Sequence, residues 1–191
     1  MTVAGLSSGE IRQIFKTFNQ FMLLLWRLGL GTWGNGSKIG GAVMVILHTG
    51  RKTGLTRYTP VNYTWHEGDV YCAAGFGPDS DWYRNLLVNS NVEIWTLEGR
   101  WAAEAKDVSD AEDAPAILRQ VLVASGFAGP LFGANPKQMS IGDLQRLLKE
   151  YRLVRMRPTE ARTGPGGPGD LAWVWPFATF ILLLLVLRRK R

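Results

Sequence analysis

The chain has 191 residues, 46% of them hydrophobic and 20% charged, enough apolar material for one packed domain with an appendage and too much for a disordered chain. Its formal net charge of +6 is concentrated at one end: 22 Lys and Arg face 16 Asp and Glu, and the last four residues, Arg188 to Arg191, are all basic. The remainder is close to neutral, which argues against a phosphate-tracking surface and a nucleic-acid partner while leaving room for a local anion pocket.

The start, "MTVAGLSSGEIRQIFK", is polar and lacks an apolar stretch followed by a small-residue cleavage site, so no signal peptide is expected and the domain is placed on the cytoplasmic side. From Ile11, apolar residues recur at Ile14, Phe15, Phe18, Phe21, Met22 and Leu25, and Ser7 with Glu10 forms an S-x-x-E capping box. This spacing predicts an amphipathic helix ending near Gly29. The run "FMLLLWRLGL" widens its apolar face, which packs on the core and could also dip into a lipid interface.

Strand signals follow: "GAVMVILH", "TRYTPVNYTW", "DVYCAAG", "NVEIWTL" and "RWAAEAKDV", with the glycine turns "HEGD" and "EGR" between neighbours. Short connections imply antiparallel pairing. A short helix through "DWYRNLLVN" fits apolar Trp82, Leu86 and Leu87. A capping box from Ser109 to Glu112 predicts a helix through about Ala124, and a helix from Ser140 to Glu150 leads into a last strand, "YRLVRMRPT". The fold class is mainly β with helices (α+β), a small antiparallel barrel, because closure removes exposed edges.

After this body, residues 1–158, comes a Pro/Gly linker over 159–170. Then "LAWVWPFATFILLLLVL", Leu171 to Leu187, carries no charge, has Trp173 and Trp175 at one border and the basic tail 188–191 at the other. It predicts a C-terminal transmembrane helix that anchors the domain to a membrane.

Side-chain acid-base chemistry has little to draw on. No paired carboxylates and no Ser-His-Asp arrangement stand out, and His48 and His66 alone make no metal site. Cys72 reads as a small buried hydrophobe. Any enzymatic reading therefore needs a cofactor that brings its own chemistry.

Two stretches supply a place for one. In "HTGRKTGLTRYTP", Gly50 and Gly54 allow a tight turn with exposed amides, while Arg51, Lys52, Thr53 and Arg57 add donors suited to a phosphate or carboxylate. In "CAAGFGPDSDWYRNL", a strand of small residues opens into a glycine loop where a flat ring can lie against the backbone.

Together, "GRKTG...R...P" followed by "WYRNL...N" resembles the deazaflavin-dependent nitroreductases, also called F420-dependent quinone reductases, from about Phe21 to Arg157. The resemblance implies a split β-barrel that binds coenzyme F420. Lys52, Thr53 and Arg57 match the grip on its phosphate and glutamate tail, with Arg51 a helper. Asn62 falls near the cofactor, Ala73, Ala74, Gly75, Phe76 and Gly77 match the segment facing the ring, and Trp82 with Asn85 match the helix closing over it. The implied chemistry is hydride transfer to a quinone, with a menaquinone drawn from membrane lipid as the candidate acceptor, or to a nitroaromatic or activated alkene.

The chain departs from that pattern in three places. His48 stands where a threonine is common, the ring loop "GFGPDSD" is short, and "FAGPLFGANPKQMS", Phe127 to Ser140, replaces a tyrosine-bearing segment that often faces substrate, so no substrate-activating residue is assigned. FMN in place of F420, a non-catalytic fatty-acid-binding barrel, and a homodimer all stay open on the sequence.

Overall fold

The computed structural model describes residues 8–33, 41–126 and 135–189. The elements, in chain order, are α1 (Ser8–Arg27), β1 (Val43–Thr49), β2 (Thr56–His66), β3 (Asp69–Ala74), a 3-10 turn (Gly77–Asp79), α2 (Asp81–Val88), β4 (Asn91–Thr96), β5 (Gly99–Asp107), α3 (Ala114–Ala124), α4 (Ile141–Glu150), β6 (Arg152–Ala161) and α5 (Val174–Arg189). Every strand expected from the sequence is present. They close in the order β1-β2-β3-β6-β5-β4, all neighbours antiparallel, so the barrel leaves no free edge.

Alternation along the strands sorts side chains into layers. Met44 and Ile46 of β1, Tyr63 of β2, Cys72 of β3, Ile94 of β4 and Met156 of β6 fill the barrel interior. The buried Cys72 thiol is pushed up in pKa by desolvation, as expected for a packing residue. Facing the other way, Tyr71 and Leu153 are covered by Ile117, Leu118, Val121 and Leu122 of α3 and by Leu144 and Leu148 of α4. Val45 and Trp95 are covered by Trp26 of α1, with Leu23 beside them. Each such fully buried aliphatic side chain contributes about 1.5–3 kcal/mol.

Two capping expectations resolve differently. Ser140 opens α4 with a capping box: its Oγ accepts from Asp143 N at 3.1 Å while Asp143 Oδ2 accepts from Ser140 N at 3.1 Å. Ser109 does not cap α3, which begins at Ala114. Its hydroxyl donates to Asp107 Oδ1 at 2.6 Å and accepts from Leu153 N at 2.9 Å, tying the end of β5 to β6 instead. The capping box expected from Ser7 and Glu10 lies outside the described residues, as do residues 127–134 of the segment replacing the substrate-facing tyrosines.

The expected membrane-spanning helix is corrected. Among the described residues, no helix is long and apolar enough to cross a membrane. α5 has 16 residues, a rise of about 24 Å against a hydrocarbon core of about 30 Å. It starts only at Val174 because the preceding residues turn against the end of α1. Leu171 N donates to Arg27 O at 2.8 Å, Gly169 N to Trp26 O at 2.9 Å, and Trp175 Nε1 to Leu28 O at 2.9 Å. Asp170 receives Arg27 Nε and Nη2 at 3.0 and 2.8 Å. The Pro/Gly stretch is thus held by the body: Arg100 Nη1 donates to Gly164 O and Pro165 O at 3.2 and 3.3 Å. The side chains of α5 itself are almost all exposed.

Candidate functional site

The turn between β1 and β2, the end of β3, the 3-10 turn, α2 and the middle of α1 surround a cleft of about 890 Å³, within the range of roughly 300–1,000 Å³ usual for cofactor-sized ligands. Strand pairing explains what points into it. On β1, His48 shares the face of Met44 and Ile46; on β2, Arg57 and Thr59 share the face of Val61 and Tyr63. The register sets His48 opposite Arg57 and Ile46 opposite Thr59. As the barrel opens, its apolar interior gives way to these polar side chains.

Of the residues singled out in the sequence, Arg51, Lys52, Thr53, Arg57, Asn62, Ala73, Gly75, Phe76, Trp82 and Asn85 line the cleft. Ala74 and Gly77 do not. Alternation turns the Ala74 side chain into the barrel core. Gly77, at φ +51°, is there for close packing: a Cβ on it would lie 2.0 Å from Glu150 O.

Most amides of the basic turn are used within the protein rather than left exposed. Gly50 N donates to Leu55 O at 2.9 Å, and Thr53 N and Gly54 N both donate to Gly50 O, at 3.1 and 2.8 Å. These donors close the turn, with Gly54 at φ +68° permitting it. Lys52, Thr53 and Arg57 are exposed at the rim, and among the described residues neither Lys52 nor Arg57 makes an ion pair.

Arg51 differs. Its guanidinium donates to Asp81 Oδ1 at 2.8 Å, Asp81 O at 3.2 Å and Asn85 Oδ1 at 2.9 Å, and its backbone N–H reaches the same Asn85 oxygen at 3.1 Å. Those bonds hold the Asp81 carboxyl below its usual range. They also fasten the turn to α2, so the Arg51 head is spent inside the protein. Asn62 donates to Ala42 O at 3.2 Å, which fixes the orientation of its side chain beside the cleft.

Five lining residues in particular were not recognised as site residues in the sequence. Lys16, Asn19 and Gln20 of α1 form one wall, on the polar face of a helix read mainly for its apolar one. His48 is 4% exposed, more deeply sequestered than an edge residue; burial and the nearby Arg57 charge lower its pKa to about 4. Thr59 accompanies it. The signal for both was available in the two-residue period running from Met44 and from Tyr63.

An antiparallel closed barrel with a small-residue shelf, and with rim cations that make no ion pair among the described residues, has the features suited to an anionic, ring-bearing molecule. The chain belongs to the F420H(2)-dependent quinone reductase family, whose model matches residues 29–128, a stretch running from the end of α1 through the basic turn, the shelf and α2 to the end of α3. It is an F420-dependent oxidoreductase, and the family match displaces the FMN alternative. Among solved structures it is similar to an F420 reductase (13% identity over 68% of this chain and 94% of that one, TM-score 0.43). It is also similar to an F420-H2 dependent reductase, FDR-A (19%, 60% and 91%, TM-score 0.42), and to HutZ, a heme storage protein from Vibrio cholerae (18%, 67% and 89%, TM-score 0.45). At these scores the likenesses add nothing to the family match.

The residues present fit F420. The donor set at the rim is cationic and unneutralised, as a phosphate and oligoglutamate tail requires, while Ala73 and Gly75 leave the shelf bare enough for a ring.

Proposed function

We propose that the cleft binds F420 with its anionic tail on Lys52, Thr53 and Arg57 and its ring on the Ala73–Gly75 shelf, and that the enzyme reduces an apolar quinone. The observation that carries this reading is the pair of exposed cations, Lys52 and Arg57, which among the described residues make no ion pair and stand beside a small-residue shelf in one cleft. Reduced F420 supplies a hydride, and a quinone taking it up with a proton leaves as the hydroquinone.

The chain's own residues bind, orient and exclude water. Two or three charge-assisted hydrogen bonds at about 1.5–3 kcal/mol each are sufficient for micromolar retention of the tail after the entropy of association is deducted. Trp82 and Phe76 flank the shelf and restrict water at the ring, where position and exclusion of solvent lower the barrier. An acyl chain is a poorer occupant of a cleft rimmed by free cations and polar β2 side chains.

The acceptor reaches the cleft along α1. Phe18 and Leu23 border the cleft, and Phe18, Phe21 and Leu24 are exposed on the same helix. The apolar, exposed α5, ending in Arg188 and Arg189, joins the far end of α1 through Arg27 and Asp170. This arrangement supports contact with a lipid interface from which a quinone is drawn. Two measurements test the proposal: fluorescence titration with F420, and oxidation of reduced F420 by menadione, read as the return of oxidised F420 absorbance. No binding and no turnover with any quinone would remove it.

A further inference from the structure

One buried polar chain in the cleft has a direction that can be worked out atom by atom. It begins at Arg51, whose backbone N–H and guanidinium both donate to Asn85 Oδ1, at 3.1 and 2.9 Å. Two donors on one atom identify it as the amide oxygen, so the other end of Asn85 is its NH2 group. That group lies 3.2 Å from His48 Nδ1. A donor facing Nδ1 requires a lone pair there, so the imidazole proton sits on Nε2. Nε2 is 3.0 Å from Thr59 Oγ1 and donates to it. The Thr59 hydroxyl, already accepting, has its own proton left to give, and among the described residues it has no acceptor. Thr59 is half-buried and lines the cleft.

We infer that His48 is a positioning residue: in its neutral, Nε2-protonated form it turns the Thr59 hydroxyl proton into the cleft, making Thr59 a hydrogen-bond donor to F420. Arg51 takes part without touching the ligand, since it fixes the orientation of Asn85. The inference rests on the proposed F420 site and adds to it a donor whose polarity is set by His48. His48 and Asn85 are 4% and 6% exposed, so water does not compete with the chain. The neutral form is consistent with a ring pKa of about 4.

The test joins a measurement on the free protein to one on binding. Nitrogen-15 correlation spectra of the imidazoles at pH 7 should show, for His48, an unprotonated Nδ1 and a protonated Nε2; the chain has two histidines, so the spectrum of His48→Gln assigns the signals. In fluorescence titrations with F420, Thr59→Val and His48→Leu should each bind about five- to tenfold more weakly than wild type. The double variant should bind no more weakly than Thr59→Val, because both changes remove one donor. His48→Gln, which can accept from Asn85 and donate to Thr59, should stay within about twofold of wild type. Protonation on Nδ1, an imidazolium at pH 7, or wild-type affinity in Thr59→Val would overturn the inference while leaving the F420 site standing. Failure of the wild-type protein to bind F420 would remove the site and the inference together.

Discussion

Arg51 and Asn85 are joined twice through one atom, the Asn85 Oδ1 that receives both the Arg51 amide and its guanidinium. Of the three cations in the turn, the one nearest α2 therefore builds the site rather than serving the ligand. Arg51→Ala should cost about 1–3 kcal/mol of stability, since a buried acceptor loses a charge-assisted donor. The partly exposed contact with Asp81 adds little to that. Lys52→Ala, at an exposed position, should stay within about 0.5 kcal/mol of wild type. Urea denaturation distinguishes them, and a neutral Arg51→Ala would show that the guanidinium is free.

Ligand affinity should follow the opposite order of dependence. Lys52→Ala and Arg57→Ala are each expected to weaken F420 binding by about tenfold, near 1.4 kcal/mol, with the folded state intact. Wild-type affinity should also fall as salt is raised, and the double variant should lose most of that sensitivity because the screened charges are gone. Salt-independent wild-type binding would mean that the tail lies elsewhere.

These contrasts mark what could be read in the sequence. The strands were legible because most carry β-branched or aromatic residues between glycine turns; their short connections implied antiparallel pairing, and the need to remove exposed edges implied closure. The residues around the cleft were legible by residue type: the donors of the basic turn and the small residues of the β3 end do line one cavity. Which donor faces inward was not, because Arg51 and Lys52 look alike until α2 is packed against the turn and presents Asn85. The same holds for Gly77, whose need for a bare Cα comes from Glu150 O, 73 positions away in sequence. The end of the chain misled by composition: its apolar run is continuous, but three residues of it are drawn into turns by carbonyls at the end of α1, leaving a helix of 16.

Acid should act on His48 in a definite direction. Its folded pKa of about 4 lies below the ordinary value of 6.5, so the unfolded chain takes up the proton more readily. The stabilisation is complete above about pH 6.5 and is lost progressively as pH falls toward 4, with an upper limit of about 3 kcal/mol. Among the described residues no carboxylate offsets this: Arg57 faces the ring from β2, and Asp81 of α2 is already paired with Arg51. The denaturation midpoint should fall further between pH 7 and pH 4.5 in wild type than in His48→Gln, which lacks the titrating ring. An equal loss in both proteins would place the titrating group elsewhere.

Gly77 supplies the sharpest packing test. Its φ of +51° is unfavourable for a side chain, and a Cβ would meet the Glu150 carbonyl oxygen at 2.0 Å, a backbone atom at the junction of α4 and β6 that cannot move aside cheaply. Gly77→Ala should therefore lose about 2–4 kcal/mol, the sum of left-handed strain and displacement of that junction. Gly54→Ala shares a positive φ, +68°, but has no atom within 4 Å of the added methyl, so it should cost only about 1 kcal/mol. Thermal or urea unfolding of the two variants separates contact from conformation, and equal losses would mean that the approach of Gly77 to Glu150 is not what requires glycine there.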